Sequence, residues 1–367
     1  METVHLGPFV VPRIWTGLWQ LSGNAWGSAP VSKIREAMKR HVDMGYTAFD
    51  MASGRTFSIA HVYLIDWIIY FIYVRVTYRP PQADHYGSAE IIFGQFRNSL
   101  SSESPRVIGA TKWCVFRDIT VDRETVKAAV SERLERMQTD RLDLLQFHWQ
   151  DYTSKGYLET LEMLHDLQIE GVISSLGLCN FDTIRMDEIC TQLGPGVIVS
   201  NQVQFSVIDT RPLHGMSDVC EKHDVKLLTY GTLCGGFLSD DWLGKPVPDP
   251  YSGTLTPSQR KYLDMIVNAW GDWELFQSLL RVLRDVGARH GAASISNVAV
   301  RWVLDHPFVG AVLIGARLGI SEHIEDNYRV YGFSLTAEDN RDIEAVLDRS
   351  SGRRMVTTVG DCGAEYR

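Results

Sequence analysis

Past the first thirty residues, short runs dense in Val, Ile, Leu and aromatic residues alternate with longer segments whose apolar positions recur at helical spacing. That alternation predicts a parallel sheet with crossover helices. Eight runs read as strands: RIWTGLWQL, TAFDMA, RVIGATKW, RLDLLQFHW, VISSLGLCN, GVIVSNQVQF, VKLLTYGTL and VGAVLIGA. Between them, VSKIREAMKRHVDMG sets Ile34, Ala37, Met38 and Val42 on one face and stops at Gly45. TVKAAVSERLERM likewise aligns Val126, Ala129, Val130, Leu134 and Met137, and SNVAVRWVLDHP ends its helix before Pro307. Eight strand-helix units predict a closed (β/α)8 barrel, an α/β fold in a single domain spanning residues 1–367. An open doubly wound sheet would require a GxGxxG turn after the first strand, and TGLWQLSG lacks that spacing. The stretch from Gly235 to about Gly291 reads as an elaborated loop between the seventh and eighth strands, with a helix around Trp273 to Leu283.

Composition narrows the function classes. Lys+Arg number 36 against 45 Asp+Glu, a net charge of -9, so the basic footprint that nucleic acid demands is missing. The six cysteines follow neither CxxC nor Cys/His metal spacing, which argues against a disulfide framework and a structural zinc site. METVHLGPFVVPRIW has no basic segment followed by an apolar core, and a cytoplasmic location is the expectation.

Function in an α/β barrel sits where strands end at the C-terminal face. The polar residues closing the candidate strands form a coherent set: Asp50, Lys112, His148, Cys179 with Asn180, Gln202 and Tyr230. A charged Lys, a His and an Asp ending hydrophobic strands would be costly in a core unless they satisfied one another.

These residues, in FDMA, DHYGSAE, ATKW and LLQFHWQ, resemble the active-site pattern of the aldo-keto reductases. GLCNF, SNQVQFS, YGTLCGG and LIGARLGISEHIEDN resemble that family's cofactor-binding segments in the right order. The resemblance implies reduction of an aldehyde or ketone to an alcohol with NADPH as cofactor. It makes Tyr86 the proton donor. A phenol that must ionise far below its reference pKa of ~10 needs a cation beside it, and Lys112 supplies one. Asp50 would hold Lys112, while His148 would hydrogen-bond the carbonyl oxygen and orient it for hydride attack. Asn180 and Gln202 fall to the nicotinamide carboxamide and Tyr230 to stacking on the ring, with Cys179 in place of the usual Ser. Gly231, Leu233 and Gly235 fall to the pyrophosphate. Gly315, Ala316 and Arg317 match a GAR variant whose Arg faces the 2'-phosphate of NADP, and Asp326 and Asn327 match adenine contacts. The loop after Arg317 is one residue longer than usual, and His323 stands where Arg or Gln is common. Trp19, Trp113 and Trp149 are open between core aromatics and the apolar walls of a substrate pocket. The implied partner is a small carbonyl compound, bound by a monomer or weak oligomer.

One segment breaks the pattern. Ser53 to Ala83, 31 residues, falls between Asp50 and Tyr86, and its removal places Asp50 five positions before Tyr86, the spacing of the resembled family. Phe57–Val74 is almost wholly apolar, near the lower length limit for a membrane span, but Asp66 interrupts it. Its aromatic, β-branched composition is unlike a polar surface loop and reads as a translated intron or other gene-model artefact, the alternatives being a membrane- or partner-contacting hairpin and a lid. Two further functional readings stand beside the reductase: a non-catalytic NADP(H)-binding regulatory subunit, and a variant made inactive by the insertion.

Overall fold

The computed structural model describes residues 1–22, 27–52 and 87–367. The inserted segment 53–83 and the expected donor Tyr86 lie outside the described residues. The chain opens with an antiparallel hairpin, β1 (Thr3–Leu6) and β2 (Phe9–Pro12). A closed barrel of parallel strands follows: β3 (Ile14–Gly17), β4 (Ala48–Asp50), β5 (Ile108–Val115), β6 (Leu142–Trp149), β7 (Ile173–Cys179), β8 (Ile198–Gln204), β9 (Lys226–Tyr230) and β10 (Val309–Gly315), with β10 closing on β3. Each of the eight expected strands falls on one of these. The hairpin was not expected, and Leu6, Phe9 and Val11 pack it against the barrel-filling residues Trp15, Ala48, Ile108, Ala110 and Leu144.

The helical ring contains α1 (Val31–Asp43), α2 (Ala89–Asn98), α3 (Arg123–Met137), α4 (Gly156–Ile169), α5 (Thr183–Leu193), α6 (Met216–His223), α7 (Pro257–Asp264), α8 (Trp273–Arg289), α9 (Ile295–Leu304), α10 (Ile324–Tyr328) and α11 (Ala337–Leu347). Helix α1 buries Ile34, Ala37, Met38 and Val42 as the apolar spacing requires. Helix α3 differs from its expected face: Val126, Val130 and Met137 are buried, but Arg133 is buried with them and Leu134 is only half-buried. The elaborated loop after β9 carries α8 where a helix around Trp273 to Leu283 is expected, and α7 besides, which is not. Among the described residues, no helix is long and apolar enough to cross a membrane.

Strand alternation decides what reaches the site. Successive side chains point to opposite faces of a strand. Ala48, Ile108, Ala110 and Leu144 fill the barrel, and the same inward rows carry Asp50, Lys112, Gln146 and His148 toward the C-terminal end. The alternate rows face the helices. Trp113 and Trp149 belong to those outer rows, packing on Phe147 at ring-centroid separations of 5.4 and 6.0 Å, so of the two readings left open for them the core one holds and the pocket-wall one does not. Trp19 is half-buried in a short turn after β3, at the rim.

Candidate active site

At the centre of the barrel mouth, Lys112 Nζ donates to Asp50 Oδ1 at 2.8 Å and Oδ2 at 2.6 Å, and to the Met51 carbonyl at 3.2 Å. The side chains of the pair are 4% and 2% exposed, so their attraction is little screened by solvent. Asp50 Oδ1 also accepts from Gln146 Nε2 at 2.8 Å and Gln202 Nε2 at 2.7 Å. Gln202 Nε2 lies 2.7 Å from Gln146 Oε1 as well, so Gln202, assigned by resemblance to the carboxamide, is here part of the carboxylate's shell. Gln146 was missed, although it stands two positions before His148 and therefore on the same face of β6.

His148 is buried, and its Nδ1 lies 2.9 Å from the Cys179 carbonyl oxygen. A carbonyl only accepts, so Nδ1 carries the proton and the neutral ring offers a lone pair at Nε2. Burial, then the nearby charge of Arg367, pushes the His148 pKa down to about 4, which keeps the ring neutral near neutrality. Nε2 is buried and makes no hydrogen bond within the described protein. In this tautomer the nitrogen left for a ligand is an acceptor.

Asn180 leaves β7 with a left-handed backbone, φ 59°, a conformation Asn tolerates better than most residues. Tyr230 Oη lies 2.9 Å from Asn180 Oδ1 and 2.9 Å from Tyr366 Oη. The last residues of the chain thus reach the two positions assigned to the nicotinamide. Arg367 donates to the Asn180 carbonyl and to the Tyr152 hydroxyl, and Lys261 Nζ donates to Tyr366 Oη at 3.2 Å. Gly363 makes the approach possible, because a Cβ there would sit 2.1 Å from the Asn180 carbonyl oxygen. The segment is anchored by Glu365, whose carboxylate meets buried Arg211 at 2.8 and 3.1 Å. Burial opposes the Glu365 charge, but Arg211 outweighs it and holds the pKa down at about 2.

At the rim, Arg317 is exposed and its Nε donates to Ser321 Oγ at 3.1 Å. A cleft of about 250 Å³ opens beside Ser321, lined also by Lys33, Arg40 and Glu322. Arg40 is already paired with Glu322 at 2.5 Å. Lys33, absent from the expected set, lines this cleft together with a second carboxylate, Glu36. Asp326 is engaged by Ser294 Oγ at 3.0 Å and Asn297 Nδ2 at 3.3 Å, at the start of α9, with Asn327 half-buried beside it and His323 exposed. Gly231 and Gly235 have positive φ, 72° and 65°; Gly235 packs on Ser258 and Leu233 is half-buried between them. The Gln20 amide lies against Gly315, and Ala316 N bonds the Gly17 carbonyl at 3.1 Å.

The sequence profile of the Aldo/keto reductase family matches residues 13–348, and the chain belongs to that family. It is 25% identical to the aldo-keto reductase YhdN of Bacillus subtilis over 343 residues, which cover 92% of this chain and 90% of that one. The methylglyoxal reductase DkgA of Escherichia coli O157:H7 is 21% identical, with 94% and 92% covered. Two solved structures share the fold: the glycerol dehydrogenase AKR11B4 from Gluconobacter oxydans, at TM-score 0.69, 23% identity and coverages of 95% and 96%, and an aldo/keto reductase from Klebsiella pneumoniae in complex with NADP and acetate, at 0.64, 20%, 94% and 95%. Membership brings with it the family's oxidoreductase chemistry on carbonyl compounds with a nicotinamide cofactor.

Proposed function

We propose that the chain is an NADPH-dependent reductase that converts an aldehyde or ketone to an alcohol. The observation that carries the reading is the buried Asp50–Lys112 pair beside buried His148, whose Nε2 has no partner within the described protein. The residues fit NADP: Asn180 and Tyr230 adjoin one another for the nicotinamide end, and Arg317 with Ser321 stands at the rim for a phosphate. When bound, NADPH supplies the hydride that no side chain can.

Lys112, held by Asp50 in a water-poor setting, stabilises the Tyr86 phenolate left when Tyr86 gives its proton to the carbonyl oxygen. The tautomer of His148 sets its part. Its Nε2 accepts from the hydroxyl of the alcohol once the proton has arrived, so it steadies the product oxygen, or orients the alcohol in the reverse direction. Tyr86→Phe is expected to abolish carbonyl-dependent NADPH oxidation across a panel of aromatic and aliphatic aldehydes while leaving NADPH affinity nearly unchanged. Normal turnover by that variant would remove Tyr86 from the mechanism. Tight NADPH binding by the parent chain with no turnover on any substrate would instead favour a regulatory subunit.

A further inference from the structure

We propose that Arg136 and Glu90 are positioning residues for Tyr86: they fix Gly87 and the start of α2, which follow Tyr86 in the chain, against the strand bearing Lys112. The inference rests on the reading of Tyr86 as proton donor. Gly87, the residue after Tyr86, has φ 57°, and its carbonyl oxygen precedes α2, outside the helical hydrogen-bond ladder. Arg136 on α3 donates to that oxygen through Nη2 at 2.9 Å and to Glu90 Oε2 through Nε at 2.6 Å. Glu90, fully buried in the first turn of α2, spends its other oxygen on the Thr111 hydroxyl. Thr111 adjoins Lys112 on β5. One turn earlier on α3, buried Arg133 donates through Nε to the Lys112 carbonyl at 2.8 Å.

Two arginines of one helix therefore hold the backbone at Gly87, the residue after Tyr86, and at Lys112. The guanidinium fork suits the task, since it offers parallel donors in a fixed plane. An ordinary helix start would be organised by its cap, but Ser88 makes no side-chain capping bond, so this end of α2 depends on Glu90 and Arg136. The grip has a particular use in this chain. The 31-residue insertion separates Asp50 from Tyr86 along the chain, on the N-terminal side of Tyr86. The contacts to α3 approach from the other side of Tyr86 and bypass the insertion.

Arg136→Ala is expected to lower kcat by about 100-fold, the scale of a misplacement of about 1 Å, with the KM for NADPH unchanged within about twofold. The apparent pKa in the kcat profile should move upward, because a tyrosine displaced from Lys112 ionises less readily. Methylguanidine should restore part of the lost kcat. Thr111→Val removes only the bond to Glu90 and should show the same pattern to a smaller degree, and it carries the test if Arg136→Ala does not fold. Turnover surviving in Tyr86→Phe would overturn the donor reading and the positioning inference with it. An inactive Tyr86→Phe beside an Arg136→Ala or Thr111→Val that keeps the parental kcat and pH profile would overturn the positioning inference alone, as would a kcat loss that tracks only melting temperature, without a pH shift or methylguanidine rescue.

Discussion

Replacing Asp50 by Asn keeps the size of the side chain and removes its charge at the centre of the barrel mouth. The carboxylate takes two contacts from Lys112 and one each from Gln146 and Gln202. An amide retains one acceptor oxygen and turns an NH2 group toward donors. With the Lys112 side chain 4% exposed, little water can replace the lost counter-charge. Breaking a buried pair by removing one partner costs about 3–5 kcal/mol, most of it the penalty of the charge left behind. Asp50→Asn should therefore unfold at markedly lower urea and turn over no carbonyl. The origin of the cost is testable by a second change. Asp50→Asn combined with Lys112→Met removes the stranded cation, and replacing both members of a buried pair is close to neutral. The double variant should regain all but about 1–2 kcal/mol of stability while remaining inactive. A single variant within about 1 kcal/mol of the parent, or a double variant no more stable than the single one, would refute the desolvation argument.

Because the His148 pKa is pushed down from its ordinary 6.5 to about 4, the unfolded chain binds a proton there before the folded one does. Stability contributed by the neutral ring is then present above pH 6.5 and lost as pH falls toward 4. Relative to His148→Gln the parent should lose about 3 kcal/mol across that window, read from urea unfolding at several pH values, and a pH-independent difference between the two would refute the assignment. Arg317→Ala should weaken NADPH about tenfold or more, and NADH far less, in fluorescence titrations, because only NADPH presents a 2'-phosphate to the guanidinium; equal losses would move phosphate recognition elsewhere. Deleting 53–83 should give a more soluble and more active protein by returning Asp50 to five positions before Tyr86, whereas loss of folding, or of an activity the full chain has, would establish the segment as a working part.

The barrel was legible because strands buried on both faces leave short continuous apolar runs, and these alternate eight times with longer segments of helical period. The hairpin is signalled only by Gly7 and Pro8 between two four-residue runs, and no crossover helix follows either run to mark it as a repeat of the barrel pattern. The choice left open for Trp113 and Trp149 can be made by strand alternation. Both follow by one position an inward residue, Lys112 or His148, and a period of two places them on the helix side. The same rule would have found Gln146. Gln202 could not be settled that way, because the pairing of β7 and β8 shifts register between Leu176 and Gly177, so counting from Ile198 loses its phase. The contacts of the final segment were out of reach for another reason: Glu365 and Arg211 are separated by 154 positions and no periodicity links them.

That final segment also bears on how a barrel mouth tolerates so many buried ions. Burying a charge is expensive unless a partner and hydrogen bonds replace its water. Asp50 answers Lys112, and Glu90 answers Arg136. Arg211 meets two carboxylates, Asp209 at 2.7 Å and Glu365 at 2.8 Å, leaving one negative charge in excess. Lys261 supplies the balance: burial works against its charge, but the neighbouring oxygens of Tyr366, Tyr262 and Glu365 outweigh that and hold its pKa above the usual lysine value. The charges are thus compensated in local groups, with no long-range field required to offset them. A substitution within one group is accordingly felt mainly inside it, and Glu365→Gln should loosen the final segment from Asn180 and Tyr230 while leaving the Asp50–Lys112 pair intact.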